Sequence, residues 1–295
     1  QFNIETISNN NGNLEIISHK YYNEKQIVKI RYNKYIYKFE TKLIGKIQIK
    51  NILMAMIAAT KSSLSFKKII NTINDLKPVS GRLEQIGIIK NNSKVILDYA
   101  HTPDALKTSL ISLIEQFKGK KISIVFGCGG NRDKPKRSMM GKIANQYCDR
   151  IYLTDDNPRN ENPKKIRSSI RKNINTPKIY ETSNRADAIK KAIFDLKTGD
   201  ILIVAGKGHE KTQEYKKIKK LFSDQEEILK NIIIKNKTLS SNLKLNILKE
   251  LSNSTNISSK IVIENASINS KEIKKNNVFF ALRGKNKDGN LFVKE

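Results

Sequence analysis

Cysteine is scarce in this chain. Only Cys128 and Cys148 occur among 295 residues, without paired spacing, and they form no metal-type cluster with the three histidines. Neither a disulfide framework nor a zinc site is therefore expected. Two isolated cysteines fit a reducing compartment, so we predict a cytoplasmic protein.

Long apolar segments are also missing. The longest wholly apolar run, at residues 52–59, is far shorter than the roughly 18–20 residues that a membrane span needs. The N-terminus lacks the basic stretch followed by an apolar core that a signal peptide would show. We therefore expect a soluble monomer without membrane insertion.

Acidic residues are few relative to basic ones. Lys and Arg number 56 against 28 Asp and Glu, giving a formal net charge of +28. Such an excess can indicate a nucleic-acid-binding protein, and that class is one alternative. The excess is spread along the chain, is mostly Lys with Asn and Ile, and includes no basic helix with interleaved aromatics. We therefore attribute it to compositional bias and predict no nucleic-acid partner.

Arginine is informative against this lysine-rich background. A position that keeps Arg among Lys neighbours is one at which a planar, bidentate guanidinium is needed. Arg82, Arg132 and Arg159 are the candidates for such a role.

The chain does contain a regular succession of elements. Its β-type runs lie at 26–30 and 35–39, and helical periodicity follows at 48–60 and 65–76. The segment 77–82, with Pro, Ser and Gly, predicts a domain boundary.

From residue 94 onward, predicted strands alternate with predicted helices. The strands lie at 94–100, 121–127, 151–155, 178–182 and 200–205, and the helices lie at 104–117, 136–147, 163–173, 185–196 and 224–234. This alternation predicts an α/β fold with a Rossmann-like, mainly parallel sheet that has helices on both faces.

The tail has a different character. A polar stretch at 236–242 precedes a predicted helix near 243–251 and β-type runs at 260–263 and 277–282. This length is too short for a complete α/β domain. We therefore divide the chain into three parts: 1–80, 81–235 and 236–295.

Four loops of unusual composition follow predicted strands. They lie at 98–103, 127–133, 155–159 and 205–210. In open α/β sheets, ligands bind beyond the carboxyl ends of the strands, where loops and helix N-termini converge. We therefore expect these four loops to form one binding site.

The loop at 127–133 is rich in glycine. Gly127, Gly129 and Gly130 permit positive backbone angles, so that amides at the start of the following helix can turn toward an anion such as a carboxylate or phosphate. A plain tight turn explains such a loop about equally well. Arg132, which could add a bidentate carboxylate contact, favours a binding role.

The loop at 155–159 combines complementary groups. Asp156, Asn157 and Arg159 place an acceptor, an amide and a guanidinium within a short segment that Pro158 stiffens. An Asx-type turn with solvated charges is the simpler explanation of this loop alone. Its shared edge with the other loops favours a site for a zwitterionic amino acid.

The loop at 205–210 offers close backbone approach and a carboxylate. Gly206 and Gly208 permit the approach, and Glu210 could accept a hydrogen bond from a substrate ammonium group. The Gly spacing and the Lys-Ser/Thr ending of a Walker phosphate loop are absent.

Asp98 and His101 superficially suggest half of a hydrolytic triad. No Ser or Cys stands at a nucleophile elbow on this edge, which argues against that chemistry. Cys128 lies between glycines, where packing of a small side chain is the expected role.

Taken together, these loops resemble the Mur ligases, and among them the diaminopimelate-adding members. The resemblance covers about residues 43–230; each block alone is weak, but their order and spacing are specific. The matching blocks lie at 45–51 leading into 58–59, 81–84, 98–106, 126–134, 156–159, 185–186, 205–210 and 222–224.

The resemblance implies an ATP-dependent ligase of peptidoglycan synthesis. In this family ATP phosphorylates the terminal carboxylate of UDP-N-acetylmuramoyl-L-alanyl-D-glutamate, and the amine of meso-diaminopimelate attacks the acyl phosphate. Mg²⁺ neutralises the charge that develops during phosphoryl transfer. A lysine-adding Mur ligase and a folylpolyglutamate synthetase-like ligase are the alternatives, and Arg159 disfavours both.

Roles for individual residues also follow from the resemblance. The motif that contains Asp156, Asn157, Pro158 and Arg159 recognises meso-diaminopimelate, with Arg159 reading the distal carboxylate that lysine lacks. Further amino-acid contacts are implied for Arg132, Gly206 and Glu210. Nucleotide contacts are implied for Asn51 near the adenine, Arg82 near the phosphates, Asp98 near the ribose, and His101. No catalytic residue or metal ligand is assigned within this chain.

Three positions depart from the family pattern. Gln48 replaces the first Asn of a Gly-x-x-Asn-x-x-Asn block, Asn131 replaces a usual Asp, and Pro135 stands where Gly is common. None of these changes removes a proposed ligand.

The resemblance also assigns the three parts of the chain. Residues 1–80 would be the end of the α/β P-loop-type central ATP-binding domain, and 81–235 the C-terminal amino-acid-binding domain. The family's Walker loop and modified lysine would lie upstream of residue 1, so we expect no turnover by this chain alone.

The last part, 236–295, would be a linker and the start of a second Mur ligase. Segments 267–271, 278–284 and 288–289 resemble the N-terminal substrate domain of the family. We expect a fusion to the D-alanyl-D-alanine-adding enzyme. Asn269 and Lys271 replace a usual Asp and Arg there, which weakens the expected UDP contacts.

Overall fold

The structure is a computed structural model. It describes residues 6–8, 12–175, 177–241, 243–244, 262–263, 265–267, 271, 273, 277–279 and 281. The chain forms two compact units, Gln1–Ile88 with Asn92–Asn231, and Ile89–Asn91 with Ile232–Glu295. The division into 1–80, 81–235 and 236–295 stays a prediction. Among the described residues, no helix combines the length and apolar character that crossing a bilayer requires.

The first unit begins with a four-stranded sheet. Its strands are β1 (Ile7–Ser8), β2 (Leu14–Tyr22), β3 (Lys25–Tyr32) and β4 (Tyr35–Thr41). The last three are antiparallel and are joined by the turns Asn23-Glu24 and Asn33-Lys34, whose residues all have positive φ. Such turns match the twist of a hairpin, and the second joins the two β-type runs recognised in the sequence. Strand β2 was not predicted.

Two helices cover this sheet. They are α1 (Lys46–Lys61) and α2 (Phe66–Thr72), followed by a 3-10 turn at Ile73–Asp75. Val28 and Ile30 of β3 share one buried cluster with Leu53 and Met56 of α1. Full burial of side chains of this size stabilises the fold by about 1.5–3 kcal/mol each.

A six-stranded sheet forms the rest of the first unit. Its strands are β5 (Glu84–Ile88), β6 (Lys94–Asp98), β7 (Ile122–Phe126), β8 (Arg150–Leu153), β9 (Ile179–Glu181) and β10 (Ile201–Ala205). Their spatial order is β5-β6-β10-β7-β8-β9, and every neighbouring pair is parallel except β5 with β6. The predicted mainly parallel sheet is confirmed; the antiparallel edge strand β5 was missed.

The remaining helices are α3 (Pro103–Gln116), α4 (Pro135–Tyr147), α5 (Pro163–Arg171), α6 (Arg185–Asp195) and α7 (Asp224–Ser241). Proline at the first position of α3, α4 and α5 fixes a helical φ where no amide hydrogen bond is lost. Helices α3 to α5 share a buried cluster with the sheet residues Ile124 and Phe126. Helix α6 packs against β7, β8 and β10. Helices therefore cover both faces, as predicted.

A short antiparallel hairpin precedes α7. It consists of β11 (Thr212–Tyr215) and β12 (Ile218–Leu221) and was not predicted. The four residues of β12 are all exposed. Because this strand has no buried face, its sequence lacks the alternation of apolar and polar residues that would have predicted a strand.

The second unit contains two small ladders. Strand β13 (Leu243–Lys244) pairs with β14 (Val262–Ile263), and β15 (Asn265–Ser267) pairs with β16 (Asn277–Phe279). The helix predicted at 243–251 is wrong at residues 243–244, and 245–251 lie outside the described residues. Residues 268–270 and 282–295, which include Asn269 and the 288–289 motif, also lie outside them. The start of a second ligase stays a prediction.

Candidate functional site

A cavity of about 410 Å³ lies at the carboxyl edge of the six-stranded sheet. The loops after β6, β7, β8 and β10 line it, as the position of the four unusual segments predicts. The sequence-predicted residues that it brings together are His101, Arg132, Asp156, Asn157, Arg159, Gly206 and Glu210. Pro158 is not among the lining residues.

The glycines of the loop after β7 allow two loops to pack closely. Gly127, Gly129 and Gly130 do not adopt the positive φ that glycine permits; the left-handed residue of this loop is Asn131, with φ 51°. A Cβ atom at Gly127 would overlap the carbonyl oxygen of Thr154, and one at Gly130 would overlap that of Pro158. Glycine is therefore required here for space rather than for an unusual backbone angle.

Two amides of this loop are bonded within the protein. The Gly130 amide donates to the Asn157 carbonyl at 2.8 Å, and the Asn131 amide donates to Glu161 Oε1 at 2.6 Å. These two amides are therefore not available to an anion. They tie the loop after β7 to the loop after β8 instead.

Glu161 links the second loop to helix α4. Both of its carboxylate oxygens accept hydrogen bonds from the Arg137 guanidinium, each at 2.9 Å. Arg137 is buried and also donates to the Gly129 carbonyl at 3.2 Å. The hydrogen bonds from Arg137 lower the pKa of Glu161 to about 2, which keeps the pair charged. This pair supports the base of the site.

Arg159 faces the cavity with one edge of its guanidinium. Its φ is 50°, and its side chain is 24% exposed. Nη1 donates to the Gly130 carbonyl at 2.9 Å, and Nε lies 3.2 Å from Glu214 Oε2. Among the described residues, no acceptor bonds to Nη2. The remaining donors of Arg159 are therefore available to a ligand.

Lys207 holds the polar groups of the site in place. Its side chain is fully buried, and Nζ donates to Asn157 Oδ1 at 3.1 Å, Glu210 Oε2 at 3.1 Å and the Thr212 carbonyl at 2.7 Å. Asn157 Nδ2 also donates to Glu210 Oε2 at 3.0 Å. An ammonium group has three hydrogens, so Lys207 has none left for a phosphate. No local sequence pattern indicated that this lysine is buried.

Asp156, in the loop after β8, and Arg132, in the loop after β7, are charged groups without a partner among the described residues. Asp156 is 7% exposed, and neither its carboxylate nor the Arg132 guanidinium has a partner within the described part of the chain. Gly206, with φ 111°, lets the Asp156 carboxylate pack on its backbone, since a Cβ there would lie 2.7 Å from Oδ2. Both unpaired side chains line the cavity.

Three residues predicted to contact a nucleotide lie near one another. The Arg82 guanidinium stacks 4.3 Å from the centre of the Tyr99 ring, and the His101 ring packs edge-on at 4.7 Å from the same ring. Asp98 immediately precedes Tyr99. The His209 ring also stacks near Tyr99, at 5.8 Å, a contact that the sequence did not indicate.

Asp98 is buried and engaged within the protein. Its Oδ1 accepts from the Leu83 amide at 3.1 Å and its Oδ2 from the Ser109 hydroxyl at 2.5 Å. Burial raises its pKa above the usual value. Asn51 is exposed on α1, donates to Gln48 at 3.3 Å and does not line the cavity. The structure therefore does not bring Asn51 to this cavity.

Cys128 lines the cavity but is suited to packing. Its Sγ lies 3.6 Å from Met140 Sδ, and burial, aided by the nearby Asp156, raises its pKa to about 12. The thiol is therefore neutral at ordinary pH, which disfavours reactivity. Over the described ranges, no group of three or more His, Cys, Asp or Glu side chains is arranged to hold a metal ion.

Comparison with known proteins places the chain in a family. Residues 81–208 match the family model described as Mur ligase, glutamate ligase domain. The UDP-N-acetylmuramoyl-L-alanyl-D-glutamate--2,6-diaminopimelate ligase of Rickettsia montanensis is 43% identical over 220 residues, which cover 74% of this chain and 45% of that protein. The Rhizobium meliloti enzyme of the same name is 38% identical over 227 residues, covering 77% and 46%. The chain thus spans about half the length of the curated relatives it matches.

Solved structures with a similar fold include members of the same family. A UDP-N-acetylmuramoyl-L-alanyl-D-glutamate--2,6-diaminopimelate ligase structure has a TM-score of 0.61 at 30% identity, covering 78% of this chain and 47% of that one. The MurF ligase of Thermotoga maritima in complex with ADP shares the fold, with a TM-score of 0.56 at 17% identity over 80% of this chain and 49% of that one. The resemblance seen in the sequence is confirmed: this chain belongs to the Mur ligase family and carries its glutamate ligase domain at residues 81–208.

Proposed function

We propose that this chain is the amino-acid-selecting part of a diaminopimelate-adding Mur ligase. The observation that carries the proposal is the balance of charge in the cavity. Three cationic and three acidic residues line it: Arg132, Lys136, Arg159, Asp133, Asp156 and Glu210. meso-Diaminopimelate has two ammonium and two carboxylate groups, so a site of mixed sign complements it. A phosphate or an apolar ligand would be matched poorly.

Within this site, the groups left unpaired determine the orientation of the ligand. The free edge of Arg159 binds the distal carboxylate, and Asp156 accepts from an ammonium group. Arg132 binds the second carboxylate. Lysine lacks the distal carboxylate, which would leave the Arg159 edge without a partner. A hydrogen bond to a charged group contributes about 1.5–3 kcal/mol, so we expect roughly 10- to 150-fold selectivity.

The proposal extends to the reaction named for the relatives. The whole ligase would join meso-diaminopimelate to UDP-N-acetylmuramoyl-L-alanyl-D-glutamate in the cytoplasm, with ATP and Mg²⁺. The described residues do not fit a complete ATP site, because Lys207 is saturated by three acceptors and the sequence contains no Walker loop. We therefore derive no phosphoryl-transfer step from them. Arg82, Asp98 and His101 are proposed contributors to the nucleotide site, and so is Asn51.

Calorimetric titration of the chain with meso-diaminopimelate and with L-lysine tests the proposal. We expect binding of meso-diaminopimelate, weaker binding of lysine, and loss of this preference in Arg159→Ala. Arg171→Ala is the matched control, because Arg171 is an exposed guanidinium at the end of α5. It should bind like the wild type.

Two results would contradict the proposal. Preference for lysine would overturn the substrate assignment. Absence of binding to either amino acid by a chain that is folded by circular dichroism would overturn the assignment of the cavity.

A further inference from the structure

The β11–β12 hairpin contacts the loop at 155–159, here termed the recognition loop, along the whole length of its first strand. Gln213 is buried, and its side chain donates to the Asp156 carbonyl at 2.7 Å. The other contacts are Thr212 carbonyl to Lys207 Nζ, Glu214 amide to Asn157 Oδ1 at 3.0 Å, and Tyr215 hydroxyl to Asp155 Oδ2 at 3.1 Å. Every residue of β11 therefore bonds to the recognition loop or to Lys207.

The hairpin also fixes the backbone of Arg159. The Arg159 amide donates to the Glu214 carbonyl at 3.1 Å, and the Lys216 amide donates to the Arg159 carbonyl at 2.7 Å. Arg159 thus forms an isolated parallel bridge with Tyr215. A non-glycine residue at φ 50° carries a conformational cost and persists only when its surroundings hold it there, and these two bonds do so.

Glu214 extends this restraint to the side chain. Its carboxylate lies 3.2 Å from Arg159 Nε, while the Gly130 carbonyl accepts from Nη1. A guanidinium is planar, so contacts at Nε and Nη1 fix both its position and its plane. The pair is half-buried, with side-chain exposures of 24% and 29%, and is only partly screened by solvent. One edge of Arg159 is left for a ligand.

We infer that Glu214 is a positioning residue that sets the specificity of the amino-acid site by holding Arg159 with a single edge toward the cavity. This inference rests on the proposed function. A guanidinium that cannot move with the ligand can bind a carboxylate at one position only. The site therefore selects amino acids with a second carboxylate, and it discriminates the configuration at the distal carbon. Released from Glu214, Arg159 would follow the carboxylate of either stereoisomer.

The test compares meso- and LL-diaminopimelate by calorimetry on the full chain. We expect the wild type to prefer the meso isomer at least tenfold. Glu214→Ala should weaken meso binding about tenfold and leave LL binding unchanged, so that the preference falls to about twofold or less. A general loss of structure would weaken both isomers equally. Glu214→Gln, which keeps an acceptor for Nε, should restore most of the preference.

A second measurement is independent of ligand binding. Phenylglyoxal modifies accessible arginines, and peptide mass spectrometry reports its rate at Arg159. We expect the rate to rise several-fold in Glu214→Ala. Glu226→Ala is the matched control, because Glu226 is an exposed carboxylate in the first turn of α7. It should change neither the labelling rate nor the isomer preference.

The outcomes separate the inference from the proposed function. If the wild type prefers the meso isomer and Glu214→Ala retains both the preference and the labelling rate, Glu214 is not a positioning residue. If the wild type binds neither isomer, the specificity role fails together with the proposed function. The labelling rate still decides in that case whether Glu214 positions Arg159.

Discussion

Arg185 and Asp224 form a bidentate ion pair in the interior of the first unit. Arg185 Nε and Nη2 donate to the two Asp224 carboxylate oxygens, each at 2.7 Å, and neither side chain is exposed. Nη2 also donates to the carbonyl of Ala205, at 2.9 Å, immediately before Gly206. The pair therefore joins the first residues of α6 and α7 to the end of β10.

Removal of Asp224 should destabilise the fold strongly. Asp224→Ala leaves the buried Arg185 without a counter-charge, and breaking a buried pair in this way costs about 3–5 kcal/mol. Urea unfolding followed by circular dichroism measures this loss. Lys191→Ala is the control, because it removes an exposed ion pair with Asp195, which contributes about 0–1 kcal/mol. Equal losses in the two variants would contradict the prediction.

Lys207→Met should impair the site as well as the fold. Methionine keeps much of the volume but removes the ammonium that Glu210 and Asn157 both contact, which leaves a partly buried carboxylate without its cation. We expect at least a tenfold loss of meso-diaminopimelate affinity by calorimetry. Lys211→Met, at an exposed neighbouring position, should bind normally. Wild-type affinity in Lys207→Met would show that Glu210 does not depend on this lysine.

Gly130→Ala should displace the recognition loop. The added methyl would overlap the Pro158 carbonyl, which is backbone and cannot rotate away. We expect a marked loss of meso-diaminopimelate affinity, measured by calorimetry. Gly119 offers the comparison: its φ is +79°, and no atom lies within 4 Å of a Cβ built there. Gly119→Ala should cost about 1–2 kcal/mol of stability through backbone strain without changing affinity.

The Glu161–Arg137 pair should give stability a defined pH dependence. Hydrogen bonding to Arg137 lowers the folded-state pKa of Glu161 from 4.5 to about 2. A lowered carboxylate pKa stabilises the fold above pH 4.5, and this stabilisation is lost as the pH falls toward 2. The wild type should therefore exceed Glu161→Gln in unfolding free energy at pH 6. The difference should shrink between pH 4.5 and 2, and a constant difference would exclude the mechanism.

The main sheet and the convergence of the loops were predictable from the sequence. Strands β6, β7 and β10 are buried at every position, and such strands read as continuous apolar runs. Turn residues and prolines mark the helix starts between them. The carboxyl ends of parallel strands lie at the same edge of a sheet. The convergence of the four loops at this edge could therefore be predicted without knowing the order of the strands.

Other features depended on tertiary contacts that no local pattern reports. Strand β12 has no buried face, so periodicity could not identify the hairpin that holds Arg159. A glycine can serve either to allow a positive φ or to allow close packing. At Gly127 the reason is close packing, and it depends on the position of the neighbouring loop, which the sequence does not show. Lys207 is one of many lysines, and its burial follows from the three acceptors that surround it.

Strand β10 is the last strand of the six-stranded sheet along the chain, yet it lies in the middle of that sheet, paired with β6 and β7. During synthesis both flanks therefore emerge from the ribosome before the strand that unites them. Until residues 201–205 have been synthesised, β6 and β7 each present an unpaired edge of mostly apolar residues, which invites aggregation. The strand that completes the sheet is followed directly by Gly206, Lys207 and Glu210 and then by the β11–β12 hairpin that holds Arg159. Nascent chains should therefore gain resistance to proteolysis and ligand binding only after this last segment has emerged.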